Sequence, residues 1–256
     1  TAPRRKAADA MPEPVRPNLR RGAKAAWWAL TPWRMPERLR ALRMKRPEEE
    51  SLGGTSDPED AYGAWIAGTE TRSVVVGDVS QAPQLSFLLA AERDPETLLR
   101  TLASLRSQAS RRWEAVVAVE AGDAGAAIRS ALDTLAKEPR ILRIEIAGGS
   151  RSRSLAACAA QATGEFGALL GAGDLVAGGA LDEIACALAR APCSDIVYGD
   201  EDEISAEGFR QNPYFKPGWS PDLLYAFNYF ARLTLLRASV LQAAGGIGPT
   251  LGAGVE

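Results

Sequence analysis

The apolar positions of the chain change period repeatedly, and the changes mark its elements. Leu85 to Ala91 is an apolar run broken only by Ser86, the pattern of a strand covered on both faces. Asp94-Pro95 then opens a helix, with Leu98, Leu99, Leu102 and Leu105 at helical spacing. Trp113 to Val119 is a second buried run. Asp123 to Lys137 has the helical period, with Ile128, Leu132 and Leu135 inward, and Arg140 to Ile146 alternates as a third strand. Ser152 to Ala162 predicts a helix of small residues and Phe166 to Leu170 a fourth strand. Gly178 to Arg190 predicts a helix with Leu181, Ile184, Ala185 and Leu188 on one face, and Asp195 to Tyr198 a further strand. Strands alternating with helices predict an α/β domain, its Rossmann-like sheet parallel or mixed, with helices on both faces. Ligands of such sheets sit beyond the carboxyl ends of the strands.

Upstream the pattern fails. Pro3, Pro12, Pro14, Pro17, Pro32, Pro36 and Pro47 prevent a long helix in residues 1–60. Glu48 to Pro58 reads as a linker around Gly53-Gly54, followed by a short helix over Asp60 to Ala67 with Tyr62, Trp65 and Ile66 on one face. The expected organisation is a basic Pro/Arg/Trp-rich arm and linker over 1–60, a helical lead-in over 61–82 and the α/β domain over 83–256.

Charge sharpens that division. Residues 1–46 hold 13 basic and 3 acidic side chains, and the remainder 17 basic and 29 acidic, so a net charge of -2 hides two oppositely charged parts. Trp27, Trp28 and Trp33 stand among Arg20, Arg21, Lys24 and Arg34, a mixture suited to an anionic membrane surface or to packing on the main domain. Nucleic acid ranks well below both.

Composition excludes whole classes of chemistry. With no histidine in 256 residues, Ser-His-Asp and Cys-His triads and His-ligated zinc sites are impossible. Acid-base work falls to carboxylates, Lys, Tyr, Cys or a metal. Cys158, Cys186 and Cys193 are an odd count without C-x-x-C, which points to buried, reduced thiols in a cytoplasmic setting. No apolar run reaches the ~18 residues of a membrane span. The chain begins at Thr1 rather than Met, as a fragment would.

The predicted strand ends carry the candidate chemistry. The second is followed by Glu120-Ala121-Gly122-Asp123, and the third by Gly148-Gly149-Ser150-Arg151-Ser152-Arg153, a possible anion cradle at a helix start. The fourth is followed by Gly171-Ala172-Gly173-Asp174. The fifth is followed by Gly199-Asp200-Glu201-Asp202-Glu203, whose four carboxylates are a candidate hard-cation site.

From Tyr62 onward the chain resembles the family 2 glycosyltransferases of GT-A fold, and in particular bacterial enzymes of O-antigen and rhamnan-type polysaccharide synthesis. The resemblance rests on Asp195-Ile196-Val197-Tyr198-Gly199-Asp200-Glu201-Asp202, on Asn212 to Leu224 with its Phe215-Lys216-Pro217-Gly218-Trp219-Ser220-Pro221-Asp222, and on Asn228-Tyr229. Ala162-Thr163-Gly164-Glu165-Phe166 is similar to the family's approach to its fourth strand. Tyr62-Gly63-Ala64-Trp65-Ile66 is similar to the Y-x-x-W-I segment that precedes its catalytic domain.

The resemblance implies transfer of a sugar from a nucleotide-diphosphate sugar to a glycan or lipid-linked acceptor, by inversion, in cell-surface polysaccharide synthesis. It implies a divalent cation, Mg²⁺ or Mn²⁺. Glu120, Asp123, Arg151, Arg153 and Asp174 match the nucleotide-sugar side, and Lys216 and Trp219 the acceptor side. Asp174 and Asp200 remain for the metal, and Arg151 and Arg153 could replace it. Asp202 is a catalytic candidate. Gly245-Gly246-Ile247 fits the turn before the family's base, which places that base near Glu256, where the domain stops short of the family's usual continuation. The sharpest departure is in the family's D-x-D-D motif, where Gly171 and Gly173 replace acids. An alternative expectation follows from it: a catalytically weakened GT-A domain that binds nucleotide, glycan or a partner enzyme without turnover. The expected location is the cytoplasm, at the inner face of the membrane, reached through the basic arm.

Overall fold

A computed structural model describes residues 58–70, 82–91, 94–230 and 232–248. The basic arm and its tryptophans lie outside the described residues. A first helix, α1 (Pro58–Glu70), precedes strand β1 (Leu85–Ala91), helix α2 (Pro95–Arg106) and strand β2 (Trp113–Glu120). A short 3₁₀ turn (Asp123–Gly125) leads into α3 (Ala126–Asp133), then β3 (Ile141–Ile146), α4 (Arg151–Gln161), β4 (Phe166–Leu169) and α5 (Ala180–Arg190). There follow β5 (Ile196–Tyr198), β6 (Glu201–Ile204), β7 (Arg210–Tyr214), α6 (Pro221–Ala226), β8 (Thr234–Arg237) and α7 (Ala238–Ala243).

The six-stranded sheet runs β3-β2-β1-β4-β8-β5. β1 pairs in parallel with β2 and β4, and β2 with β3. β8 is antiparallel to both β4 and β5. The alternation expected from sequence is therefore present, with three strands it did not contain, of which the four-residue β8 inserts between β4 and β5. β6 and β7 form a separate antiparallel ribbon.

Period-2 packing explains the apolar runs of β1 and β2. Leu85, Phe87, Leu89 and Ala91 of β1 join Trp113, Ala115, Val117 and Val119 of β2 in one core with α2, α3 and α5. Leu88, Ala90, Val116 and Ala118 face the other way, onto Leu155 and Cys158 of α4. Both faces are covered, so neither strand tolerates polar alternation. Asp94 caps α2 by accepting from the Glu96 N–H at 3.0 Å, beside Pro95, as the sequence predicts. The predicted helix over Asp123 to Lys137 is shorter, because its last residues unwind into turns before β3.

Residues 219–228 belong to a separate compact unit and are described by themselves. They form α6, capped by Ser220, whose hydroxyl accepts from the Leu223 N–H at 3.4 Å. Trp219 is 62% exposed. Of the three cysteines, none is in a disulfide and only Cys158 is buried, while Cys193 is exposed, which corrects the expectation of three buried thiols. Burial pushes the Cys158 thiol up to about 11. No helix among the described residues is long and apolar enough to cross a membrane.

Candidate functional site

The topology gathers the strand-end loops onto one rim. β1 to β4 are mutually parallel, so the segments after β2, β3 and β4 emerge at the same edge. β5 runs parallel to β4 through antiparallel β8, which sends Gly199-Asp200 and the residues before Thr234 to that edge too. The chain turns from β1 outward to β2 and β3 and then returns to lay β4 on the other side of β1. The β1/β4 boundary is thus the topological switch point, where open α/β sheets place their ligands.

The loop after β4 is laced to α2. Thr101 and Ser104 lie on one face of that helix, and Gln108 follows its C-terminus. The Thr101 hydroxyl accepts from the Gly173 N–H at 2.8 Å, and the Ser104 hydroxyl from the Val176 N–H at 3.0 Å. The buried Gln108 amide donates to the Ala177 carbonyl at 2.9 Å. This lacing sets Asp174, whose Oδ2 accepts from the Gly171 N–H at 2.7 Å and from Arg232 Nη1 at 2.9 Å. Both glycines have a local reason. Gly173 sits at φ +101°, where an L side chain is strained, and a Cβ at Gly171 would stand 2.8 Å from Asp174 Oδ2 and 3.2 Å from Arg232 Nη1. The sequence singled out Asp174 and missed Arg232, which lies 58 residues away, just before a strand the pattern did not reveal.

The acidic run after β5 is not a cation cage, because each carboxylate has its own donor. Asp200 Oδ1 accepts from the Lys216 N–H at 2.7 Å. Glu201 Oε2 accepts from Lys216 Nζ at 3.0 Å and from the Arg232 N–H at 2.8 Å. Asp202 Oδ2 accepts from the Tyr62 hydroxyl and from Arg210 Nε. Glu203 Oε2 accepts from Asn212 Nδ2 at 2.8 Å. Among the described residues no group of three or more acids or cysteines could hold a metal ion. The divalent cation implied by the resemblance does not fit this donor set: Asp174 already holds a guanidinium, Asp200 a backbone N–H, and the remaining positions are glycine.

Lys216 and Asp202 are corrected in role. The Lys216 side chain is 1% exposed, and its ammonium donates to Glu201 and to the carbonyls of Phe230 and Arg232, which uses all three N–H groups. It clamps the ribbon and the approach to β8, leaving nothing for a sugar acceptor. Asp202 latches α1 rather than facing the rim. Tyr62 and Trp65 stack with centroids 5.8 Å apart, and Phe215 meets both edge-on. Burial first, and then the Asp202 bond, pushes the Tyr62 hydroxyl up to about 12. The Y-x-x-W-I segment is thus a docking motif, and its partner is the acidic run.

Other sequence candidates lie on the rim without converging. Glu120 and Asp123 are exposed at the end of β2. Their loop is closed by Arg129, which donates to the Glu120 and Gly122 carbonyls, and a Cβ at Gly125 would stand 1.8 Å from the Glu120 oxygen. Arg151 and Arg153 begin α4, which Ser150 caps by accepting from the Arg153 N–H at 3.3 Å. The Arg153 chain folds over Gly149, where a Cβ would meet its Cδ at 2.8 Å. Tyr198 packs against Phe230 at 4.6 Å and donates to the Pro217 carbonyl at 2.9 Å. Trp219 belongs to the other unit. Glu256 lies outside the described residues.

No family model matches the chain. Over 193 residues, 73% of the chain, it is 33% identical to the O-antigen biosynthesis protein RfbC of Myxococcus xanthus, of which it covers 15%. Over 239 residues, 89% of the chain, it is 29% identical to the uncharacterized protein y4gI of Sinorhizobium fredii, of which it covers 26%. The chain therefore spans a small part of either relative. Among solved structures, residues 1–349 of S. aureus TarS superpose with a TM-score of 0.52 at 14% identity, over 63% of this chain and 49% of that one. TarS is also known in complex with UDP and with UDP-GlcNAc, each matching at a TM-score of 0.51. The α/β domain has the GT-A fold, and its sequence resembles that of O-antigen biosynthesis proteins.

Proposed function

We propose that this chain is the catalytic part of a glycosyltransferase of polysaccharide biosynthesis, using a nucleotide-diphosphate sugar as donor. The observation that carries the reading is the 33% identity to RfbC over 73% of the chain, on a GT-A fold. The switch-point rim, bounded by Glu120, Asp123, the α4 start and Asp174–Arg232, is where the donor is read to bind. The acceptor is a glycan or a lipid-linked sugar, and the transfer inverts the anomeric centre. Glu256 stands at the position of the carboxylate base that would take the acceptor proton. The arm over 1–60, with its basic and tryptophan-rich composition, would hold the domain at an anionic inner leaflet. The lead-in over 61–82 docks through Tyr62, and 83–256 forms the transferase domain. Calorimetry with UDP, GDP and dTDP, each with and without Mn²⁺, tests this. Binding of at least one is expected, and none under any condition refutes it.

One observation favours a second reading. Gly171 and Gly173 leave Asp174 as the sole carboxylate of the family's metal motif, and Arg232 occupies it. That arrangement supports a domain that binds nucleotide or glycan without turnover. Binding without any release or transfer of the sugar would distinguish it.

A further inference from the structure

We propose that Arg232 stands in place of a divalent cation at the donor site, so that nucleoside diphosphate binding is metal-independent. The inference rests on the glycosyltransferase reading and deepens it. It begins with the disagreement between the cation that the resemblance implies and the donors present. Two carboxylates with one divalent ion sum to zero charge, and so do Asp174 and Arg232. The Asp174–Arg232 pair crowds the position of a second acid, since Asp174 Oδ2 lies 2.8 Å and Arg232 Nη1 3.2 Å from where a Gly171 Cβ would be. A side chain at 171 would have to displace this ion pair, whereas glycine leaves it in place.

The placement suits a diphosphate. Arg232 sits at the switch-point edge of β4, its side chain 46% exposed, with Asp174 holding Nη1 from one side. Among the described residues Nε and Nη2 make no hydrogen bond. A guanidinium oriented by one carboxylate presents its remaining N–H groups as a fork, the geometry that matches phosphate oxygens. Its backbone is equally fixed: the Arg232 N–H donates to Glu201 at 2.8 Å, and its carbonyl accepts from the buried Lys216 at 2.8 Å. The acidic run and Lys216, which do not reach a ligand themselves, thereby position the residue that does.

The test uses the full chain and calorimetry with UDP, GDP and dTDP in EDTA and in Mn²⁺. Wild-type protein should bind its nucleoside diphosphate equally in both. Arg232→Ala should weaken binding about 10- to 100-fold, the loss expected for a hydrogen-bonded charge, and Arg232→Lys should recover part of it. The loss should be smaller for the corresponding nucleoside monophosphate, which a merely structural effect would not produce. Wild-type binding that requires Mn²⁺, or Arg232→Ala binding as wild type does, overturns the proposal while leaving the glycosyltransferase reading intact. No binding by wild type to any diphosphate, with or without metal, overturns that reading and the proposal with it. Should Arg232→Ala fail to fold, the EDTA comparison and Arg232→Lys still decide.

Discussion

Replacing Lys216 by methionine separates a clamp from an acceptor contact. Methionine keeps most of the stem volume and removes the ammonium. Three acceptors lose their donor: Glu201, about a quarter exposed, and the Phe230 and Arg232 carbonyls, of which only the Phe230 bond is part-buried. Breaking a fully buried ion pair costs about 3–5 kcal/mol. Water reaches Glu201 and the Arg232 carbonyl, which lowers that figure, while the Phe230 carbonyl adds part of the roughly 1–3 kcal/mol of an unsatisfied buried group. The net is about 3 kcal/mol. For a domain of this size each kcal/mol moves Tm by roughly 2–4 °C, so Lys216→Met should melt roughly 6–12 °C below wild type. Thermal melting followed by circular dichroism measures this at pH 7. A variant melting within about 2 °C of wild type would refute the clamp and return Lys216 to the acceptor side.

Tyr62→Phe should lose the alkaline sensitivity of α1 docking. The Tyr62 hydroxyl is held at about 12 in the fold, against an ordinary 10.0, so its contribution is complete below pH 10 and lost as pH rises towards 12. Trp65 fluorescence should report the undocking of wild type in that window, with the gap to Tyr62→Phe closing. The Arg140 hydrogen bond holds the Glu138 carboxyl below its ordinary 4.5, so the pair stabilises the protein above that value. Stability should be lost as pH falls below it, and Glu138→Gln, about 1 kcal/mol weaker at neutral pH, should converge with wild type in acid denaturation. Gly164→Ala should cost about 2 kcal/mol or more, because its Cβ would stand 2.4 Å from Ser86 Oγ and 2.8 Å from the Gln84 carbonyl. Urea unfolding at unchanged m-value would register it, and an unaltered midpoint would contradict the close approach.

That glycine illustrates how a motif can be legible while its reason is not. Ala162-Thr163-Gly164-Glu165-Phe166 is recognisable in sequence. Only the pairing of β1 with β4 shows that Gly164 donates to Ser86 at 2.8 Å, and that Ser86 donates to Glu114 at 2.6 Å. Tyr62 and Trp65 were legible as one apolar helical face, but their partners, Phe215 and Asp202, are some 140 residues on. The acidic run misled for the same reason. Four carboxylates in a row have the composition of a cation site, and the donors that satisfy them arrive from α1, from β7 and Lys216 just after it, and from the approach to β8.

The pattern of apolar residues by itself determined the α/β domain, its strands β1 to β5 and the helices between them. Burial on two faces leaves continuous apolar runs in β1 and β2, and burial on one face leaves a period near 3.6 in the helices, and both signals are local. Tertiary structure alone decided the surroundings of Asp174. Charge pairing depends on distance in space, and the antiparallel insertion of β8 brings Arg232 onto Asp174. The missing acids at Gly171 and Gly173 are therefore not vacancies: the Asp174–Arg232 pair crowds one position, and positive φ favours glycine at the other.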